Sequence, residues 1–98
     1  MAKYIALLNF TDQGLKSVKS TVERARAARQ AFEKMDIRMT GIWWTLGQYD
    51  VVCTFEASND EAITRAGLAL GMQGNVRSTT LRAFDEAEMA GIIKGLPG

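Results

Sequence analysis

The side chains that could do chemistry in this sequence fall into three short groups. Asn9, Thr11, Asp12 and Gln13 sit where an apolar run gives way to a glycine, and polar groups at a strand end can converge on a ligand or simply make a turn. Trp44, Tyr49 and Asp50 flank Gly47-Gln48. There an aromatic floor, a phenol and a carboxylate could serve a small organic molecule, or a core and a turn. Arg77 and Arg82 lie on opposite faces of one apolar-alternating segment, and an arginine on a sheet face needs an acid or an anion. Asn9, Trp44, Tyr49 and Arg82 together are the set from which a cofactor-free oxygenase or isomerase could be built. Against such chemistry stands the complete absence of histidine, the commonest general base near neutral pH, and the lack of a clear acid–base pair. The single cysteine, Cys53, lies between Val52 and Thr54 and has no basic sequence neighbour to activate it. One cysteine without histidine leaves no nitrogen–sulfur metal site, and no loop has the carboxylate spacing of a calcium site. No metal and no cofactor is expected, and whether the chain is an enzyme stays open.

The elements that must position these residues follow from periodicity. Lys3 to Phe10 is apolar on both faces, as in a central strand. Val22, Ala25, Ala28, Phe32 and Met35 form a helical stripe, for which Ser20 and Glu23 have capping-box spacing. Ile37 to Leu46 and Tyr49 to Glu56 read as a hairpin about Gly47-Gln48. Its register pairs Trp44 with Val51, Ile42 with Cys53 and Thr40 with Phe55. One face then carries Ile42, Trp44, Leu46, Tyr49, Val51, Cys53 and Phe55 and should face the helices, with Trp44, Val51, Cys53 and Phe55 mostly buried beneath them. Met39, Trp43 and Val52 fall on the other. Ser58 and Glu61 suggest a second capping box before a helix through Ile63, Ala66 and Leu70, ended near Gly71 and Gly74. Val76 to Phe84 is a fourth strand, and Asp85 with Glu88 begins a short terminal helix.

The order β-α-β-β-α-β predicts an α+β, ferredoxin-like fold. Its antiparallel sheet should have strand order 4-1-3-2, with both long helices on one face. Residues 1–98 read as one domain. The bare sheet face, with Met39, Trp43 and Val52, is too apolar for water and should pair with a second copy. Apolar residues make up 47% of the chain and charged residues 23%, which fits a globular protein. A net charge of +1 gives no field for nucleic acid or an anionic membrane, and Val51-Val52-Cys53-Thr54-Phe55 lacks the pattern of an RNA-binding strand. The start of the chain does not read as a signal peptide, and the lone cysteine suits a reducing cytoplasm.

Several stretches resemble the GYD-domain family: Lys3-Tyr4-Ile5, Asn9 to Gly14, Trp44 to Asp50 with Gly47-Gln48-Tyr49-Asp50 in the signature position, Gly74 to Arg77, and Thr80 to Phe84. They keep their order over essentially the whole chain, and Leu46 stands where many relatives have a polar residue. The resemblance implies small bacterial proteins akin to dimeric α/β barrels, a homodimer or higher homo-oligomer with no settled activity. In related barrels ligands lie between helices and sheet. A small-metabolite binding module, a cofactor-free enzyme and a protein-interaction module all remain open. The candidate ligand residues are Asn9, Asp12, Trp44, Tyr49, Asp50, Arg77 and Arg82.

Overall fold

A computed structural model describes residues 1–98. Four strands, β1 (Ala2–Phe10), β2 (Arg38–Trp44), β3 (Val51–Ala57) and β4 (Val76–Ala83), form one sheet in the order β2-β3-β1-β4, with every neighbouring pair antiparallel. A short helix α1 (Asp12–Lys16) and a 3-10 turn lead into α2 (Thr21–Glu33); α3 (Asp60–Met72) joins β3 to β4; α4 (Glu86–Lys94) ends the chain. This is the ferredoxin-like α+β arrangement expected from the element order. No helix is long and apolar enough to cross a membrane.

Strand alternation decides the core. Tyr4, Ala6 and Leu8 of β1 and Val51, Cys53, Phe55 and Ala57 of β3 point toward α2 and α3 and are buried, as inward positions of a half-covered sheet must be. Phe32 of α2 meets Phe55 edge to face, with ring centroids 5.7 Å apart, a favoured aromatic geometry. Ile63 and Ala66 close the core from α3.

The hairpin register holds at its closed end, where Trp44 pairs with Val51 and Ile42 with Cys53. It fails farther out. The pairing shifts between Met39 and Gly41, so Met39, not Thr40, lies opposite Phe55. An extra residue in one strand inverts the faces beyond it. Met39 therefore belongs to the helix side and packs on the core, which corrects its placement on the bare face. Thr40 takes its place there and shares a 2.7 Å hydrogen bond with Thr54.

Two helix starts also differ from expectation. Ser20 makes no capping bond to α2. The 3-10 turn Val18–Ser20 already supplies a carbonyl for the Thr21 N–H, and the Ser20 hydroxyl turns back to donate to the Ser17 carbonyl at 2.9 Å. For α3 the cap is Asn59, whose extended backbone lets its side chain accept the Ala62 N–H at 2.9 Å; Ser58 lies one residue too early. Asp85 and Glu88 do form the capping box of α4.

Candidate functional site

Helices α2 and α3 stand apart over the sheet and leave a cleft of about 100 Å³. Its floor is the inward face of the strands, including Leu8, Met39 and Cys53, and its walls include Ala28 and Phe32 of α2 and Ile63 and Gly67 of α3. Alanines and a glycine at these helix positions make the room, since longer side chains there would fill it. A Cβ built on Gly67 meets no atom within 4 Å. A second cavity of about 180 Å³ lies between α2 and β2, bounded by Val22, Arg26, Arg29 and Trp44. That gap leaves Val22 outside the core and Trp44 42% exposed. The expectation of a buried Trp44 is thus corrected: β2 is an edge strand, and α2 does not close over it. The indole N–H of Trp44 donates to Thr21 Oγ1 at 3.1 Å, so the ring is a fixed wall shared by both cavities.

The polar side chains around the cleft serve mainly to hold backbone. The Arg24 guanidinium donates to the Ser17 carbonyl and hydroxyl and to the Ser20 hydroxyl at 2.6–3.0 Å, fixing the approach to α2. The cleft lining contains no carboxylate. Its one thiol, that of Cys53, is pushed up to about 11 by burial, an effect opposed by the charge of Arg29. At pH 8 a thiol of that kind should react with a disulfide reagent about 100-fold more slowly than an exposed cysteine, because the thiolate is the reacting form. Ellman's reagent checks this; full reaction should appear only in denaturant, and fast native-state labelling would contradict the burial.

Of the seven candidate ligand residues, only Trp44 lines the cleft. Asn9 lies on the other sheet face, one register position beyond inward-facing Leu8, paired with Arg77. Asp12 is exposed in the first turn of α1. Arg82 is directed to the far end of the sheet: its guanidinium covers the Tyr4 and Phe84 rings and lies 3.6 Å from Glu88. The register puts Arg82 four residues along β1 and three strands across from Trp44, or roughly 19 Å away by standard strand spacings. Asn9, Trp44, Tyr49 and Arg82 therefore do not converge.

The Gly47-Gln48-Tyr49-Asp50 signature is a joint of the fold. Gly47 has φ +126, which a side chain rarely tolerates. Tyr49 is half-buried, and its carbonyl accepts the Thr45 hydroxyl at 2.6 Å. Asp50 closes the turn through its backbone carbonyl, which accepts the Thr45 N–H. Its carboxylate goes elsewhere: Asp50 Oδ2 accepts the Phe10 N–H at 2.9 Å, while the Asp50 N–H donates to the Leu8 carbonyl. The side chain thus extends the β1–β3 pairing by one bond just before β3 begins, a charge-assisted bond stronger than a neutral one.

A second joint went unnoticed in the sequence. The Thr11 hydroxyl caps α1 by accepting the Gly14 N–H and donates to the Gly74 carbonyl. The Thr11 N–H meets the Asn75 carbonyl at 3.0 Å, and Gln13 Nε2 reaches Gln73 and Asn75. Two loops distant in sequence are tied at one end of the cleft. Thr11 and Gln13 act in turns and caps, as the plainer reading of that segment had it.

A family model described as GYD domain matches residues 4–93. The chain is 30% identical over 95 residues to the "Glutamine synthetase and cystathionine beta-lyase binding protein" of Thermus thermophilus, covering 96% of this chain and 100% of that protein. A crystal structure of a Thermus thermophilus protein shares the fold at 20% identity with a TM-score of 0.55, covering 87% of this chain and 95% of the other.

Proposed function

This chain belongs to the GYD domain family, and on that footing we propose that it is a homodimeric binding module that holds a small apolar molecule between its helices and its sheet. The observation that carries the reading is the cleft itself: an apolar space with a fixed indole wall and no acid–base pair. Its volume favours a ligand near the size of a single aromatic ring, since an apolar cavity of about 150 Å³ accommodates benzene. Binding without chemistry fits a lining whose thiol is held protonated by burial and whose hydroxyls, on Thr21, Ser78 and Thr80, have no carboxylate or imidazole beside them in the lining to activate them.

The test is a fluorescence titration of a Trp43→Phe variant, which leaves Trp44 as the sole indole. Saturable quenching by benzene-sized aromatics, lost when Gly67→Leu fills the cleft, is the expected result. Gly67 is helical with open space before it, so the filled variant should fold at least as stably as the parent. Equal quenching in both proteins, or none in either, would end this reading.

A second reading comes from the relative's name. Leu46 stands wholly in solvent at the tip of the β2–β3 hairpin, a position from which an apolar side chain can enter a pocket on another protein. In this reading the chain docks on metabolic enzymes, with glutamine synthetase and cystathionine β-lyase the first to try. Purified mixtures at low micromolar concentration should co-elute, and Leu46→Asp should abolish the shift. Separate elution from both enzymes counts against it.

A further inference from the structure

The last helix has nothing to pack against. α4 is nine residues long, and helices shorter than about 12–15 residues are marginal in water without a packed face. Its first turn is pinned: the capping box starts it, Lys3 holds Asp85 at 3.1 Å and Glu88 at 3.6 Å, and Arg82 holds Glu88. Beyond that turn every residue is exposed. Met89, Ile92 and Ile93 recur at helical spacing and are 47, 46 and 54% exposed. The chain is accordingly drawn out, with a longest extent of 54 Å and a radius of gyration of 15.0 Å, where a compact domain of this length has about 12.5 Å.

We propose that α4 is an arm that docks along β4 of a second copy of this chain, its apolar stripe over the partner's Leu81 and its Glu86 beside the partner's Arg77. This rests on the homodimer reading and specifies how that dimer is held. Charge selects the site. On the outer sheet face Lys3 is paired with Asp85 and Arg38 with Glu56, which leaves Arg77 without an acid; on α4, Glu86 has no base. Both are exposed. Length agrees: the seven helical steps from Glu86 to Ile93 rise about 10 Å, and the four strand steps from Arg77 to Leu81 span about 13 Å.

Area argues for the same occupant. Four strands of about eight residues present a flat footprint of only about 500 Å², whereas a stable interface covers about 800 Å² on each partner. Sheet pairing alone is thin, and the arm supplies further apolar surface twice under two-fold symmetry. Leu81 is itself exposed, on the edge strand where an arm from outside can reach it.

Sedimentation of the full chain tests the arm. Ile92→Asp with Ile93→Asp should raise the dimer dissociation constant at least tenfold, with the circular dichroism of the sheet retained. Arg77→Glu should weaken the dimer two- to fivefold, and Glu86→Arg in the same chain should restore it, the scale of an exposed ion pair. Met89→Cys combined with Leu81→Cys should give a disulfide-linked dimer on oxidation. A monomeric wild type overturns the dimer and the arm together. A dimer that is lost on Trp43→Glu but indifferent to the α4 aspartates, the charge swap and the cysteine pair overturns the arm alone. If the aspartate variant loses its sheet signal, the charge swap and the cysteine pair decide.

Discussion

Replacing Trp43 with glutamate should convert the proposed dimer to monomer, with the dissociation constant rising at least ~100-fold. Trp43 lies on the outer sheet face, opposite Val52, and is 55% exposed. Its ring lies back over Gly41, where an added Cβ would approach it to 2.4 Å, so the indole has that place only because the neighbouring position is glycine. Ile5 and Leu7 of β1 and Leu81 of β4 continue the apolar surface across the sheet. Burying such side chains contributes about 1.5–3 kcal/mol each. A carboxylate in Trp43's place loses that contribution and must be desolvated without a partner, a cost of several kcal/mol, at two sites per dimer. Arg29→Glu, on the exposed side of α2, should leave the dimer intact. Light scattering at micromolar concentration distinguishes the two variants; a dimer that survives Trp43→Glu would remove the outer face from the interface.

Gly14→Ala should lower the melting temperature by roughly 15 °C. Gly14 is buried in α1, and a Cβ there would lie 2.0 Å from the Asn75 carbonyl oxygen. The obstacle is backbone, so no side chain can turn aside. The same carbonyl accepts the Thr11 N–H, and any shift that relieves the clash also breaks the tie between the two loops. Overpacking of this kind costs about 3 kcal/mol, and each kcal/mol moves the midpoint by about 4–8 °C in a chain of this size. Gly71→Ala, with open space before its Cβ, is the control and should be neutral or mildly stabilising. Thermal unfolding by circular dichroism measures both; equal melting temperatures would mean the two loops are not tied as described.

What could be read from the residues depends on the range of the interaction that fixes them. Strand order and the pairing of Trp44 with Val51 follow from alternation and a glycine at the turn, all local signals. The bulge does not, because the residue it inserts, Thr40, is an ordinary strand former, and only the pairing with β3 reveals the shift. The Asp50 carboxylate is a turn acid by its neighbours, yet its partner Phe10 is 40 residues away. Gly14 looks like one turn glycine among several until Asn75 arrives beside it. Trp44 illustrates a different limit: its face was legible, but its exposure depends on how far α2 stands from an edge strand, which helix periodicity does not encode. The cleft has the same origin. Small side chains at Ala28 and Gly67 mark a helix that can approach closely, and the same residues mark a space left open.

The displaced pairing at Thr40 also changes how mutations in β2 must be interpreted. Upstream and downstream of it the strand obeys opposite parity, so Met39 and Ile42 share a side although an odd number separates them. Loss of that one residue would leave the reading frame of the ladder intact: with Met39 still opposite Phe55 and Gly41 still opposite Thr54, the strand would regain plain alternation and Met39 would keep its inward side. Among relatives, a deletion here should therefore leave polar and apolar character at the preceding two positions unchanged, whereas a chain that keeps its length but pairs without the bulge would need the two exchanged.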